Sequence, residues 1–284
     1  MKGSIDLEAL RAWIGRTESR TDLATAVPCA ALSATLDRDD PYPQHGAKVP
    51  PLWHWLYFLP LSQLSEAGPD GHPQRGGFLP PVPLPRRMFG GGRFEFHHAV
   101  RIGETIMRTS RITDVNGKTG RSGTLVFVTV RHEISNATGV ALSEEHDIVY
   151  REHPRADAMA LKPMLAPAGE AFKRDIPPGP VLLFRYSALT FNSHRIHYDR
   201  PYVTGVEGYP GLIVHGPLIA TLLLDLLRRN LPQASVNGFS FRAVRPLFDT
   251  HTFSVCGRQE GKRVSLWTRD HEGCLTMEAS AELG

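Results

Sequence analysis

The fold of this chain can be predicted from FNSHRIHYDR at residues 191–200, from VHGP at residues 214–217, and from the sequence around them. The first stretch follows VLLFRYSALTF (181–191), whose aromatic and branched residues predict a strand. The second opens the most convincing helix, predicted from about Pro217 to Arg229, because proline suits a first helical turn. Polar residues on a loop held by such elements are typical of a site that performs chemistry.

The two stretches predict a general base and an oxyanion hole. His197 lies in the loop, and an imidazole with an ordinary pKa of about 6.5 can accept a proton near neutral pH. Gly216 stands at the helix start, where free N–H groups and the helix dipole favour a negatively charged oxygen. His194 and His215 are expected to support the loop and the helix start. A metal site on His194, His197 and Asp199 is the alternative, but the sequence places no further ligand beside them.

Outward from these stretches, each half of the chain predicts a helix followed by antiparallel strands. In the C-terminal half the strand-like runs are residues 238–244, 250–257, 263–269 and 274–281. In the N-terminal half a helix at residues 24–36 precedes the runs 93–102, 105–115, 123–135 and 140–152. Asn116-Gly117 predicts a hairpin turn between two of these runs. The predicted fold class is α+β.

Proline and glycine mark the segments between these elements. Residues 153–180 are rich in proline and predict a linker, which separates an N-terminal unit (1–152) from a C-terminal unit (181–284). Residues 59–85 form a long loop, which is typical of a lid, a binding segment or a disordered excursion. FGGG at residues 89–92 lacks the Gly-Lys-Ser/Thr ending of a phosphate-binding loop and predicts a turn.

Composition excludes several classes of protein. At about 150 residues per domain, 284 residues indicate two folding units or one fused unit. Thirty-two Lys plus Arg against 29 Asp plus Glu leave a net charge of +3, which does not suggest a nucleic-acid-binding protein. The most apolar stretch is too short and too polar to span a membrane, and the N-terminus does not look like an export signal. Three widely spaced cysteines indicate reduced thiols, so we expect a cytoplasmic protein.

The catalytic stretches resemble the MaoC-like hydratases, also called (R)-specific enoyl-CoA hydratases, whose loop reads roughly G-D-x-N-P-I-H. With Ile196-His197 aligned, the family's catalytic histidine falls on His197 and its catalytic aspartate falls on Asn192. Val214-His215-Gly216 is similar to the family's downstream helix start. FNSHRIHYDRPY (191–202), EGYPGLIVHGPL (207–218) and FGGGRFEF (89–96) resemble one branch more closely: itaconyl-CoA and mesaconyl-C4-CoA hydratases with the mitochondrial type 2 hydroxyacyl-thioester dehydratases.

This resemblance implies a double hot-dog fold, in which each of two units wraps an antiparallel sheet on a helix. Only the C-terminal unit would keep the catalytic loop, and the degenerate N-terminal unit would help to accommodate the acyl chain. The implied reaction is the reversible hydration of an α,β-unsaturated acyl-CoA, with itaconyl-CoA or mesaconyl-C4-CoA giving citramalyl-CoA. It implies neither a metal nor a redox cofactor, since CoA is part of the substrate. A monomer and a homodimer both fit an internally paired hot-dog.

Asn192 departs from the family pattern, because an amide is neither an acid nor a base. We therefore expect Asn192 to orient the water, His197 to handle the proton, and the Gly216 N–H to stabilise the oxyanion. Arginines near the motif are candidates for binding the CoA phosphates or a substrate carboxylate. These candidates are Arg185, Arg195, Arg242 and Arg245, with His194 and His215 as further substrate-binding residues.

Two other functions are compatible with the same sequence. A hot-dog thioesterase would hydrolyse the thioester and release a free thiol. A non-catalytic acyl-CoA-binding protein would bind CoA esters without turnover, although the presence of both His197 and Gly216 argues against it.

Overall fold

The computed structural model of the chain describes residues 5–120, 123–152 and 163–284. These residues form one ten-stranded sheet with the order β1-β3-β4-β5-β2-β7-β10-β9-β8-β6, and neighbouring strands run antiparallel. The strands are β1 (Thr17–Leu23), β2 (Arg86–Phe96), β3 (Thr105–Gly120), β4 (Gly123–Asn136), β5 (Gly139–Arg151), β6 (Phe172–Ile176), β7 (Val236–Ala243), β8 (Phe253–Glu260), β9 (Arg263–Arg269) and β10 (Leu275–Leu283).

Strands β2 and β7 join the two halves of the sheet, with Gly91 opposite Arg242. The predicted turn at residues 89–92 is wrong, because these residues lie inside β2. A Cβ atom on Gly91 would come within 2.6 Å of the Phe241 carbonyl oxygen. The glycines therefore allow the two strands to approach closely.

The helices are α1 (Leu7–Arg11), α2 (Ala26–Thr35), α3 (Pro180–Leu189), α4 (Arg200–Gly205) and α5 (Gly216–Asn230). Helix α5 is the central one: it packs against strands of the C-terminal half, and each residue from Leu218 to Leu227 is buried. Its core neighbours come from both halves of the chain, including Leu32 of α2 and Trp53. The α+β prediction is confirmed, as are the helices predicted around α2 and α5.

The strand predicted at residues 181–191 is wrong, because this segment forms α3. Pro180 occupies the first helical turn, where its missing N–H removes no bond. Leu183, Tyr186 and Ser187 are the buried residues, and this three-to-four spacing fits one helical face.

The hairpin turn predicted at Asn116-Gly117 is also wrong. Both residues lie in the ladder between β3 and β4, opposite Phe127 and Val126. A Cβ atom on Gly117 would come within 2.7 Å of the Leu7 side chain of α1. This glycine makes room for a helix, and β3 continues as far as Gly120.

Part of the predicted linker is a strand. Residues 153–162 lie outside the described residues, but Phe172–Ile176 forms β6 and pairs with β8 at the sheet edge. In this short strand the exposed Lys173 and Asp175 alternate with three residues that are partly or fully buried, of which only Phe172 and Ile176 are apolar. So weak a pattern was not recognised in the proline-rich sequence. The two-unit division itself stays a prediction. None of the helices in the described residues is long and apolar enough to cross a membrane.

Candidate active site

A sharp turn after α3 places the loop that carries His197. Phe191 adopts a left-handed backbone (φ +49°), and the Asn192 N–H donates to the Ser187 carbonyl at 2.8 Å. A short 3-10 helix, Arg195–His197, follows and brings His197 inward. Asp199 then caps α4 by accepting the Tyr202 N–H at 3.0 Å. The His197 side chain is buried, at 7% exposure.

The surroundings of His197 favour a neutral imidazole ring whose Nε2 has a free lone pair. Its Nδ1 lies 2.7 Å from the Ile213 carbonyl oxygen, which only accepts, so Nδ1 carries the proton and Nε2 does not. Burial lowers the pKa of His197 to about 4, and the bond to Ile213 only partly opposes this. The expected pKa near 6.5 is therefore wrong, but the ring is still unprotonated and able to act as a base at neutral pH.

His215 and Gly216 begin α5 directly beside His197. The rings of His215 and His197 stack with centroids 3.7 Å apart and an angle of 18° between their planes. His215 Nε2 lies 2.8 Å from Ser187 Oγ, and burial lowers the pKa of His215 well below its usual value. Gly216 follows in the first helical turn, where backbone N–H groups have no acceptor within the helix. A Cβ atom on Gly216 would approach only Phe89, at 3.9 Å, so there is space beside this amide.

Four histidines form a continuous row, which we call the histidine row: His72, His194, His197 and His215. His194 contacts His197 edge-on at 5.5 Å between centroids, and His72 lies 3.9 Å from His194. Burial is the main cause that lowers the pKa of His194 to about 2, so this ring is also neutral. His72 was missed from the sequence, and the only sign of it was the unusual length of the loop at residues 59–85.

That loop docks on the catalytic loop through backbone contacts. The Arg195 N–H donates to the Asp70 carbonyl at 2.9 Å, and Ser193 Oγ donates to the Gly71 carbonyl. Gly71 has φ +88°, and a Cβ atom there would collide with the Ser193 carbonyl oxygen. Only glycine fits this contact, which holds His72 against His194 and keeps Asp70 beside it.

Asn192 supports the loop in the way a side-chain cap does. Its Oδ1 accepts the His194 N–H at 3.0 Å. The residue therefore fixes the backbone between Asn192 and His194, and its predicted role in orienting water stays a prediction.

The arginines chosen from the sequence have other partners or none. Arg195 binds Asp199 through two nitrogens at 2.9 and 2.7 Å and lies over the Tyr202 ring, so it holds the loop together. Arg242 donates to Glu278 at 2.8 Å, and Arg245 donates to Asp270 at 3.3 Å. Arg185 is exposed, and among the described residues it has no hydrogen-bond or ion-pair partner. None of the contacts described for these four residues reaches the histidine row.

Arg87 of β2 is a cation that the sequence analysis overlooked. After burial, its charge is among the causes that lower the pKa of His72 and of His194, so it lies near the row. It lies opposite Tyr150 in the ladder between β2 and β5. Arg87 is only partly buried, and a guanidinium is suited to binding an anion.

Three groups of side chains in the described residues converge closely enough to hold a metal ion, with ligand atoms within 4.8 Å of one another. They are Asp70-His72-His194, His132-Glu144-His146 and Asp270-Glu272-Cys274. The first group belongs to the histidine row, and it supplies the converging ligands that the sequence analysis did not find for a metal.

Comparison with known proteins agrees with this geometry. The family model for hydroxyacyl-thioester dehydratase type 2 matches residues 52–249, which include both the docked loop and the catalytic loop. The chain belongs to this dehydratase family. A mesaconyl-C4-CoA hydratase of Chloroflexus aurantiacus is 49% identical over 274 residues, which cover 96% of this chain and 97% of that protein. The predicted family and the predicted dehydratase type of enzyme are confirmed.

Solved structures show the fold of the chain. A MaoC-like dehydratase superposes with a TM-score of 0.73 at 13% identity and covers 98% of this chain and 99% of that one. A Mycobacterium tuberculosis protein described as having a double hotdog fold gives a TM-score of 0.52 at 13% identity, with 95% and 96% coverage. The predicted double hot-dog is confirmed.

Proposed function

We propose that the protein catalyses the reversible hydration of an α,β-unsaturated acyl-CoA, with mesaconyl-C4-CoA as substrate and citramalyl-CoA as product. Itaconyl-CoA is the second candidate substrate. The observation that carries the proposal is the neutral, buried His197, stacked on the residue that precedes the free amide of Gly216. The 49% identity to a mesaconyl-C4-CoA hydratase supports this choice of acyl group.

His197 acts as the base on water. Its Nε2 takes a proton from water while the water oxygen forms a bond to Cβ of the enoyl thioester. The electron pair of the C=C bond moves toward the carbonyl, and negative charge grows on the thioester oxygen. The protonated His197 then returns the proton to Cα, so the sum of the steps is the addition of one water molecule.

Gly216 stabilises the growing oxyanion. Its N–H belongs to the first turn of a 15-residue helix, so the helix dipole adds to the hydrogen bond. A Cβ atom on Gly216 would lie 3.9 Å from Phe89 of β2, which comes from the other half of the chain. The acyl group therefore binds between the halves, with the thioester toward α5.

The free carboxylate of the mesaconyl group is attached to Cβ, the carbon that water attacks. An acyl group placed against His197 thus brings its carboxylate to the same region as the histidine row. Arg87 is the cation that we assign to it, since its charge already acts on His72 and His194. A guanidinium can bind such a carboxylate by donating two hydrogen bonds to it.

One assay tests the reaction. Purified protein is given mesaconyl-C4-CoA, itaconyl-CoA and crotonyl-CoA in separate reactions, and absorbance, free thiol and product mass are followed together. We expect loss of the enoyl absorbance and a product heavier by one water, without thiol release. Thiol release would instead identify a thioesterase, and binding without turnover would identify an acyl-CoA-binding protein.

The remaining predictions complete this proposal. We infer a cytoplasmic enzyme that binds no nucleic acid, needs neither metal nor redox cofactor, and exists as a monomer or homodimer. The three cysteines support a reducing compartment, since Cys29, Cys256 and Cys274 are all buried and unpaired.

A further inference from the structure

We propose that Asp70 and His72, on the loop at residues 59–85, are positioning residues that stabilise the proton carried by His197 during hydration. The inference rests on the proposed function. It concerns the negative charge of the same site, which the catalytic loop does not supply. Proton transfer from water leaves a positive imidazolium in a pocket where the side chain is 7% exposed. A buried charge of this kind needs a nearby counter-charge.

The catalytic loop does not provide that anion. Its carboxylate, Asp199, is bound to Arg195 and caps α4, and position 192 holds an amide. Of the carboxylates in the described residues, Asp70 is the one that is hydrogen-bonded to a member of the histidine row. The row thus has its anion at the end opposite to His215.

Asp70 holds His72 in a fixed orientation. Its Oδ2 lies 3.1 Å from His72 Nδ1, and its Oδ1 accepts the His72 backbone N–H at 3.0 Å. Although burial acts to raise the pKa of Asp70, the hydrogen bonds from His72 and the nearby histidines hold it below the usual range. The ionised carboxylate only accepts, so His72 Nδ1 carries its proton and the ring has one defined tautomer.

Two ring contacts separate the histidine that Asp70 holds from His197, and the charge of Asp70 acts to raise the pKa of His194 between them. His72 lies 3.9 Å from His194, and His194 lies 5.5 Å from His197. The other charged side chains that act on His72 are Arg87 of β2 and Arg75 of the same loop, both of them cations. Asp70 is therefore the group that favours a positive charge on the row while His197 holds the proton from water. No proton is gained or lost overall, because His197 returns it to Cα.

The decisive variant is Asp70→Asn, which keeps the size of the side chain and removes its charge. We expect kcat for hydration to fall roughly 10- to 100-fold, as for other carboxylates that orient a catalytic histidine or ligand, with KM changed by less than about threefold. The acid limb of the kcat/KM profile should move to lower pH, because loss of the anion lowers the pKa of His197. His72→Gln should lower kcat as well, because it removes the ring that Asp70 orients, and Asp70→Glu should restore part of the rate.

Matched controls separate this role from loss of folding. Asp39→Asn and His97→Gln change exposed residues outside the row and should leave kcat and the pH profile unchanged. Circular dichroism and thermal unfolding of each variant show whether the loop change has disturbed the fold. If Asp70→Asn unfolds, Asp70→Glu takes its place in the comparison. A full loss of rate in Asp70→Glu, with the acid limb of its kcat/KM profile unchanged, would count against the proposal.

Three outcomes would overturn the inference. Unchanged kcat and pH profile in both Asp70→Asn and His72→Gln would remove the role, while active wild-type enzyme would leave the proposed function intact. A rise in KM alone would make these residues part of substrate binding. Stoichiometric metal in the purified protein, with activity lost on chelation and regained on metal addition, would make Asp70, His72 and His194 a metal site instead. Inactive wild-type protein would count against the proposed function itself.

Discussion

The turn after α2 and the turn after α3 have the same backbone geometry but different side chains. Asp37 and Phe191 both adopt left-handed conformations, with φ +53° and +49°. In each turn the next N–H donates to a serine carbonyl, and the two pairs are Arg38–Ser33 at 3.0 Å and Asn192–Ser187 at 2.8 Å. The first turn belongs to the N-terminal half and the second carries the catalytic loop.

A second pair of matching contacts shows what the N-terminal half lacks. The Val49 N–H donates to Val100 at 2.8 Å, as the Val214 N–H donates to Leu247 at 2.9 Å. Val214 is followed by His215-Gly216, but Val49 is followed by Pro50-Pro51. Two prolines have no N–H to offer, so the oxyanion hole is missing at the matching place. The same backbone frame therefore carries the His215-Gly216 helix start only in the C-terminal half.

In the N-terminal half, the region that matches the catalytic loop contains ion pairs. We call this region the N-terminal counterpart. Arg38, which matches Asn192, bonds to Asp40 at 2.9 Å and to Asp225 at 2.6 Å. Asp225 of α5 is buried and also binds Arg174 at 2.9 Å and Arg229 at 2.8 Å. A cavity of about 680 Å³ lies beside Pro50 and Pro51, at the end of α5 far from the histidine row. Its walls include His54, His97 and His98, but neither His197 nor Gly216.

The largest effect is expected from removing the base in the C-terminal half. His197→Ala should lower kcat for hydration by roughly 10²- to 10⁴-fold, the usual contribution of a general base. Steady-state kinetics with mesaconyl-C4-CoA measure the loss, and the exposed His251→Ala provides a control. Retained activity in His197→Ala would mean that another group deprotonates water.

The next largest effect should follow when the start of α5 is given a proline, as in Pro50-Pro51 of the N-terminal half. Gly216→Pro removes the N–H and is compatible with the first helical position. We expect kcat to fall roughly 10²- to 10³-fold, as for the loss of one oxyanion-hole donor.

Gly216→Ala is the matched control for this change. It keeps the N–H, and its Cβ would meet only Phe89, at 3.9 Å, so activity should stay close to wild type. Equal losses in the proline and alanine variants would point to crowding of the acyl group instead of a missing donor.

The ion pairs of the N-terminal counterpart should matter for stability. Asp225→Ala leaves three arginines without their shared buried partner and should lower the free energy of unfolding by about 3–5 kcal/mol. Urea unfolding followed by circular dichroism measures this. Glu278→Ala breaks the exposed pair with Arg242 and should cost less than about 1 kcal/mol. A stable Asp225→Ala protein would show that the network contributes little to the joining of the halves.

From the local sequence, only the histidines of the row on the catalytic loop and at the start of α5 could be predicted. His194, His197 and His215 stand close together in the chain, and a helix start beside a polar loop indicates their chemistry. His72 and Asp70 come from a loop that is distant in the sequence. This loop packs on the catalytic loop because Gly71 has no Cβ to collide with Ser193, and such a contact produces no periodic pattern in the sequence. The same limit explains Asn116-Gly117, where the need for glycine comes from a helix packed on the strand.

Substrate recognition should depend on a cation of β2 near the row. Arg87→Gln should raise KM for mesaconyl-C4-CoA roughly tenfold or more, the range expected when a charge-assisted hydrogen bond is lost. The effect on crotonyl-CoA, which has no free carboxylate, should be smaller. Arg242→Gln provides the comparison, because this arginine is exposed and already bound to Glu278. Equal effects of the two substitutions would remove Arg87 from carboxylate binding.

The smallest effect is expected at Asn192, which matches Arg38 in the turn after α2. Arg38 binds carboxylates, whereas Asn192 binds a backbone N–H. Its Oδ1 accepts the His194 N–H, so Asn192→Ala should loosen the loop and lower kcat several-fold, consistent with the loss of one hydrogen bond worth about 1 kcal/mol. Asn192→Asp keeps an acceptor at the same place and should retain most of the rate. Comparison of kcat for the two variants separates loop support from proton transfer. If both leave turnover untouched, neither loop support nor water orientation by this side chain contributes to catalysis, and His197 works without it.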